Sequence, residues 1–456
     1  MREGTATGGL LRRALLAAGA IVLLAPASAG AFGVQSFRAD VTEGDQTTLF
    51  TQAGGHPVYG ITDFTMNQTG GLPDGDVKNV RVDVPPGLIP NPEVIPKCHA
   101  AQPSDCPANT QVGTTDVTVV VRPLPLQVPV NGIPVYNMDP PPGKISDFAF
   151  GISAAGIPVV DRVDIIGGVR DTTDYGVFFT IDDIPSTPSI VRSKLSFFGV
   201  PADHGTGGPN KPFITNPTEC GPPPTTKLTV ESATGEVAHA SYTSAVGASG
   251  CDKVPFAPAI SVAPDTTRRD APAGATVGLH VPQLEQPHGI ETSHVRDVSL
   301  TLPEGMTINP SAAGGLQTCE DARFGKGTHE PVTCPDGSHI GTVRIVSNAL
   351  SAPLTGDVWL GQELPGERYR LFVRATGPMG LDVRLVGAVR PDQQTGRLTT
   401  TFTDNPQVPF TDFDITLRGG PRAPLATPLA CGPAGSTSTF VPWSGAGNAT
   451  PSTSFT

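Results

Sequence analysis

The chain is short of charge, of basic residues above all, and of aromatic rings. Charged side chains fill 16% of its 456 positions, with 30 Lys and Arg against 42 Asp and Glu. No stripe of Lys and Arg gathers to meet phosphates, so nucleic acid and anionic lipid surfaces are set aside as partners. Two Trp (Trp359, Trp443) and five Tyr are few for a carbohydrate site, which usually stacks sugars on exposed rings. The motifs of common catalysts are missing too: no G-x-S-x-G elbow, no H-E-x-x-H, no phosphate-cradling glycine loop before a helix. Beyond the first 31 residues no apolar run is long enough to cross a membrane.

What is present begins with a leader. Arg2, Arg12 and Arg13 precede an apolar run from Ala14 to Leu24, followed by Pro26, Ala27, Ser28, Ala29, Gly30 and Ala31. That is the pattern of a signal peptide over 1–31, with cleavage expected before Phe32 or, alternatively, before Gly30. The residues flanking Arg12 and Arg13 fit twin-arginine export poorly, and ordinary secretion is expected. The leader carries three Arg and one Glu, so the remainder holds 27 basic and 41 acidic residues and should be soluble and self-repelling.

Glycine (53) and proline (49) are abundant, and they bracket short runs in which Val, Ile, Leu and Phe alternate with polar residues. Val80, Val82 and Val84 alternate with Arg81 and Asp83; Tyr369, Leu371 and Val373 alternate with Arg370, Phe372 and Arg374. Period two with turns between predicts short strands that bury one face. Further strands are expected at 114–121, 175–181, 190–198, 356–360, 398–402 and 413–417. The one helical hint after the leader is a turn over 319–324, capped by Thr318.

The chain is also duplicated. VRVDVPPGL at 80–88 returns as VSLTLPEGM at 298–306, and Val112-Gly113-Thr114 as Ile340-Gly341-Thr342. The run 162–170 matches 382–390; Asp183, Pro185 and Pro188 match Asp404, Pro406 and Pro409; and 216–222 matches 427–433. Self-similarity in this order marks tandem copies of one unit. The expected fold is all-β, with tandem β-sandwich, Ig-like domains and almost no helix. The expected boundaries are a first unit at 32–220, a Pro/Gly/Ser/Thr-rich connector with a strand at 221–259, a second unit at 260–433 and a tail of truncated-connector character at 434–456.

Seven cysteines in an exported chain pose a disulfide question. Repeat logic pairs Cys98 with Cys106 and Cys319 with Cys334, each in a short loop before a Pro and a strand. Cys220 and Cys251 form the third pair, which leaves Cys431 unpaired. Cys431 is the counterpart of Cys220, so its partner is expected 31 residues on, near position 462, past Thr456. A longer repeat array would supply it; otherwise Cys431 is a free or intermolecular thiol. Zinc is disfavoured, because neither copy has a C-x-x-C pair.

The polar clusters are thin. Asp74 with Asp76, and Asp182 with Asp183, offer oxygen to calcium without a full ligand set. Asp183 and Asp404 precede Pro-rich turns, where an Asp side chain commonly bonds nearby backbone amides. The nine histidines (His56, His99, His204, His239, His280, His288, His294, His329, His339) read as solvated loop residues with no counterparts between copies. Positions shared by the copies are mostly Gly, Pro, Cys and apolar residues, which specify a scaffold rather than a site. No catalytic residue, cofactor or metal is therefore assigned.

The runs VPPGLIPNP, CPANTQVGT and PVYN, with LPEGMTINPSAAGGL, CPDGSHIGTV, LTGDVWLGQ and TGRLTTTFTDNPQVPF, resemble large, uncharacterised exported repeat proteins of soil actinobacteria. The resemblance covers almost the whole chain after the leader. It implies secretion, tandem β-domains and further repeats in a longer parent chain, and it brings no activity. The functional expectation is a secreted or cell-surface protein whose units act as spacers or adhesion modules toward an unknown protein or glycan ligand. The alternative is an exported hydrolase or polysaccharide-binding accessory with a site in the loop 139–147 or 362–368.

Overall fold

A computed structural model of the protein describes residues 30–121, 126–154 and 157–456. The leader, apart from Gly30 and Ala31, lies outside the described residues. In the first unit the strands are β1 (Val34–Thr42), β2 (Tyr59–Met66), β3 (Val77–Asp83), β4 (Gln111–Val121), β5 (Leu126–Met138), β6 (Ser146–Ala154), β7 (Ile157–Val169), β8 (Val177–Ile181), β9 (Ser189–Phe198), β10 (Thr225–Ser232) and β11 (Val237–Thr243). They form one 11-stranded sheet in the order β1-β2-β9-β4-β5-β6-β7-β8-β3-β10-β11. The second unit repeats this with β12 (Ala259–Pro264), β13 (Ala275–His280), β14 (Val295–Thr301), β15 (His339–Val346), β16 (Leu354–Gly361), β17 (Tyr369–Thr376), β18 (Asp382–Pro391), β19 (Leu398–Phe402), β20 (Asp412–Leu417), β21 (Ala434–Pro442) and β22 (Ser452–Phe455). Its order, β12-β13-β20-β15-β16-β17-β18-β19-β14-β21-β22, is that of the first sheet strand for strand.

Each sheet curls until its edges meet. In the first unit Tyr242 on β11 donates its hydroxyl to Asp40 Oδ2 on β1 at 2.8 Å, and Ser244 donates to Asp40 Oδ1 at 2.9 Å. These side chains seam two edge strands that would otherwise offer unpaired backbone to another chain. The layers of the expected sandwich are thus one continuous sheet, whose opposite faces pack on each other. Phe148 on β6 meets Phe197 on β9 with ring centroids 5.2 Å apart, although three strand steps separate them along the sheet.

Four expectations are corrected. The connector at 221–259 and the tail at 434–456 are strands of the two sheets, not linkers: β10 and β11 in the first, β21 and β22 in the second. Their composition hides this because the buried face of β10 is Thr226, Leu228, Val230 and Ser232, half of it hydroxyl. The repeat match at 162–170 slips by two residues. Pairing of Ile165 with Phe148, and of Gly387 with Leu371, aligns Arg162 with Arg384 rather than with Asp382. A shift of two leaves every side chain on its own face, so a period-two pattern cannot detect it. The short helix is Asp321–Phe324 with Glu320, not Thr318, at its N-cap. Finally, the strand expected from 175 starts at Val177 because Tyr175 has φ +55°.

The shared Val/Ile-Gly-Thr triplet has a local cause. A Cβ on Gly113 or Gly341 would collide with the carbonyl oxygen of Ser196 or Thr416 on the neighbouring strand.

Candidate functional site

The cysteines meet in three pairs: Cys98–Cys106, Cys220–Cys251 and Cys319–Cys334, with Cα separations of 5.5, 5.9 and 5.0 Å. All three lie within the range that a disulfide spans. Cys431 is exposed and unbonded.

Beside each short disulfide loop sits an arginine at the same strand position. Arg162 on β7 donates to the Ala101 carbonyl at 3.0 Å, to Asp147 at 2.8 Å and to Asp164 at 2.5 Å. Arg384 on β18 donates to the carbonyls of Phe324 (2.9 Å), Gly325 (2.7 Å) and Glu330 (2.7 Å), and to Asp382 at 2.8 Å. The guanidinium forks thus hold the loops that the disulfides close. Asp147 is buried, and its carboxyl is pushed up to about 7, first by burial and then by the negative charge of Asp164, against the pull of Arg162. Its counterpart is Arg370, which pairs with Asp321 at 2.9 Å. The place is charged in both units and opposite in sign, so no common chemistry resides there.

The units are fastened to each other. Tyr175 of the first unit accepts from the backbone N–H of Arg384 at 3.2 Å. Asp171 accepts from the N–H of Asp382 at 2.9 Å and lies 3.3 Å from His329. On another side of the junction Gln407 donates to Glu219 at 2.5 Å, Lys211 donates to Glu285 at 3.2 Å, and Glu291 donates its N–H to the Gly54 carbonyl at 2.7 Å. Asp171 is 8% exposed and Arg384 2%, so the bonds that Asp171 and the Arg384 backbone make are sheltered from water.

The remaining sequence candidates fall in scattered places. His99 stands 2.6 Å from Asp139 as an exposed pair next to the first disulfide, and the loop 362–368 is a turn whose Glu367 faces Arg370 and Arg390 at 3.7 Å. Asp183 and Asp404 turn the chain through their own backbone, at φ +55° and +51°. Their N–H groups donate to Asn79 and Asp297, so the side chains that cap these turns belong to neighbouring strands. Asp76 accepts from Ser189 at 2.6 Å. Among the described residues no group of three or more His, Cys, Asp or Glu is placed to hold a metal.

The histidines are not all solvated, which corrects the sequence reading. His294 is buried at the junction, with its carbonyl accepting from Trp443, and burial pushes its imidazole down to about 4. His56 is half-buried against the Ile214 carbonyl and also shifted down, first by desolvation, and His204 stacks on Phe198 at 3.8 Å. Trp359 packs on Phe324, and Trp443 donates to the Asn405 carbonyl at 3.0 Å, so both indoles serve the scaffold.

Sequence reading missed Arg384, Tyr175 and Asp171. The first was hidden by the two-residue slip, and the other two bond across units whose sequence patterns are independent of each other.

No family model and no curated protein matches the chain. Among solved structures it is similar to one described as "BspA_C_WT", at 7% identity and TM-score 0.21 over 91% of this chain and 98% of that one. The C-terminal domain of the Streptococcus agalactiae AgI/II polypeptide BspA gives 8% and 0.20 over 92% and 98%. The serine-rich repeat protein Srr2 of Streptococcus agalactiae gives 8% and 0.16 over 93% of each. At these TM-scores no property of those proteins passes to this one.

Proposed function

We propose that this is an exported, non-enzymatic protein of the secreted or cell-surface class, in which two tandem β units form a braced spacer that presents a binding face to a protein or glycan. The observation that carries the reading is the junction. Bonds at Asp171, Tyr175, Arg384, Gln407 and Glu291 hold the two units in one orientation, as a spacer requires and as a flexible linker would not provide. The disulfides support it, since such bridges persist in oxidising compartments outside the cytosol. The positions the copies hold in common, Gly113 with Gly341 and Arg162 with Arg384, serve the scaffold. The resemblance to exported repeat proteins agrees, and further repeats of the same parent chain fit the proposal.

Small-angle scattering on the purified chain, a glycan array and a panel of hydrolase substrates test it together. A single rigid envelope and no turnover are expected; reproducible turnover of any substrate overturns the non-enzymatic reading, and independently tumbling units overturn the spacer.

A further inference from the structure

The two barrels share a topology and differ inside. Four phenyl rings fill the first: Phe148 contacts Phe197 and Phe213 at centroid distances of 5.2 and 5.6 Å, and Phe179 contacts Phe197 at 5.7 Å. Strand register gives the counterparts in the second unit. Phe148 pairs with Asn137 one step before the residue that bridges Cys98, and Leu371 pairs with Leu360 one step before the residue that bridges Cys319. Phe179 opposes Val82 as Thr400 opposes Leu300. Phe197 opposes Gly113 as Leu417 opposes Gly341. The carbonyl of Phe213 accepts from Asn91 as that of Pro424 accepts from Asn309. All four rings are thus replaced by smaller side chains.

The space they vacate is still there. A cavity of about 300 Å³ is lined mostly by the second unit, with Leu371, Thr400, Leu417 and Pro424 among its residues, and in part by the first. Val, Leu, Ile and Phe make up most of the rest of its wall, with Pro, Gly, Ala and a few uncharged polar residues between them, and no charged side chain reaches it. Phe402 and Phe413, at the places of Ile181 and Ser193, do not close it, because they stand two or more residues further along their strands. The first unit keeps smaller spaces, about 110 Å³ beside Phe179 and Phe197 and about 30 Å³ beside Ile181 and Ser193, where it lacks those two rings. Eight strands already make a barrel just wide enough for side chains to fill, and diameter grows with strand number. Eleven strands therefore need either bulky rings or a guest, and an empty void costs stability in proportion to its volume.

We propose that the second unit binds one apolar chain, an acyl chain of a lipid, inside its barrel. A dry apolar cavity of about 150 Å³ takes a benzene ring, and this one has twice that volume. The lining accepts hydrocarbon and offers no partner to a buried charge, so the head group must stay at the rim. The rim at the junction supplies it: Tyr175, Ser146, Ser347 and Asn405 are its polar members, and Val169 and Ile145 of the first unit complete the wall. The first unit thereby covers the guest.

The test is fluorescence titration of the full chain with cis-parinaric acid, competed in one arm by dispersed palmitate and in another by vesicles of dipalmitoylphosphatidylglycerol. One site per chain with micromolar affinity is expected. Displacement by palmitate alone assigns a free acyl chain, and displacement by vesicles assigns a membrane lipid. The variant Leu371→Phe/Thr400→Phe restores rings that the same backbone carries in the first unit, and should weaken binding at least tenfold. Should that variant not fold, a diazirine-bearing palmitate on the wild-type chain should mark peptides within 369–417. Absence of binding, unchanged affinity in the folded double variant, or labelling on the strand that carries Phe197 overturns the proposal. None of these outcomes bears on whether the units form a rigid spacer.

Discussion

Arg162 and Arg384 occupy the same position in the two units, and each donates to carbonyl oxygens inside the disulfide loop beside it. A carbonyl in a loop has no strand partner to satisfy it, and an unmet one costs free energy when buried. The arginine supplies the donors, and the disulfide limits how far the loop can move away.

Replacing Arg384 by Met removes five N–H donors and leaves Asp382 facing Arg374 alone. A loss of about 3–5 kcal/mol is expected from breaking so buried a charged network. Urea unfolding measures it, and hydrogen exchange should show the 319–334 loop losing protection first.

Arg162→Met leaves Asp147 buried beside Asp164 without its cation, so the single variant should be destabilised and the double variant Arg162→Met/Asp147→Leu should recover most of the loss. A double variant no more stable than the single would show that the cost lies in the Ala101 carbonyl instead.

Two buried groups make stability depend on pH in opposite directions. His294 titrates near 4 when folded and near 6.5 when unfolded, so the unfolded chain binds the extra proton between those values and stability falls as pH drops through that window. The full effect is roughly 3 kcal/mol, since each tenfold change in proton affinity is about 1.4 kcal/mol. Asp147, raised to about 7 from 3.8, does the reverse: the folded chain holds the extra proton between those values, and stability rises as pH falls from 7 towards 3.8. The contributions of these two groups between pH 4 and 7 should therefore largely offset each other in the wild type. Unfolding midpoints should climb with acid in His294→Leu and fall with acid in Asp147→Asn.

At the junction, Asp171→Ala and Tyr175→Phe each remove hydrogen bonds between units and should cost about 1–2 kcal/mol of coupling. Combined, they should split one calorimetric transition into two and enlarge the scattering radius. A single sharp transition in the double variant would place the coupling elsewhere, at Gln407 and Glu291.

One thiol per native chain should react with maleimide, since Cys431 is exposed and the other six cysteines are paired. Cys431→Ser should abolish the reaction. Removing the Cys319–Cys334 bridge as a Ser pair should cost about 3 kcal/mol for a loop of this length.

Much of the scaffold was legible because its signals are local. Period-two alternation located β3 and β17, with β4, β8, β9, β16, β19 and β20 among the other expected strands, and repetition of Cys-bearing landmarks gave the short-loop disulfides without any three-dimensional information. What was misread lies where period two is blind. The slip that hid the equivalence of Arg162 and Arg384 is a whole number of alternations; β21 went unclaimed, and β10 was read only as a strand within a connector, because their inward residues include Thr and Ser.

By itself the sequence determined an all-β chain of two copies, braced by disulfides, because strand alternation, turn residues and repeated landmarks are written in neighbouring positions. Only the tertiary structure decided that each copy is one 11-stranded sheet, the first seamed at Asp40 and Tyr242, that Tyr175 and Asp171 lock the copies together, and that four lost phenyl rings leave a cavity. Those outcomes depend on residues distant in the chain meeting across a curled sheet or a junction, and no local pattern records which side chains will meet.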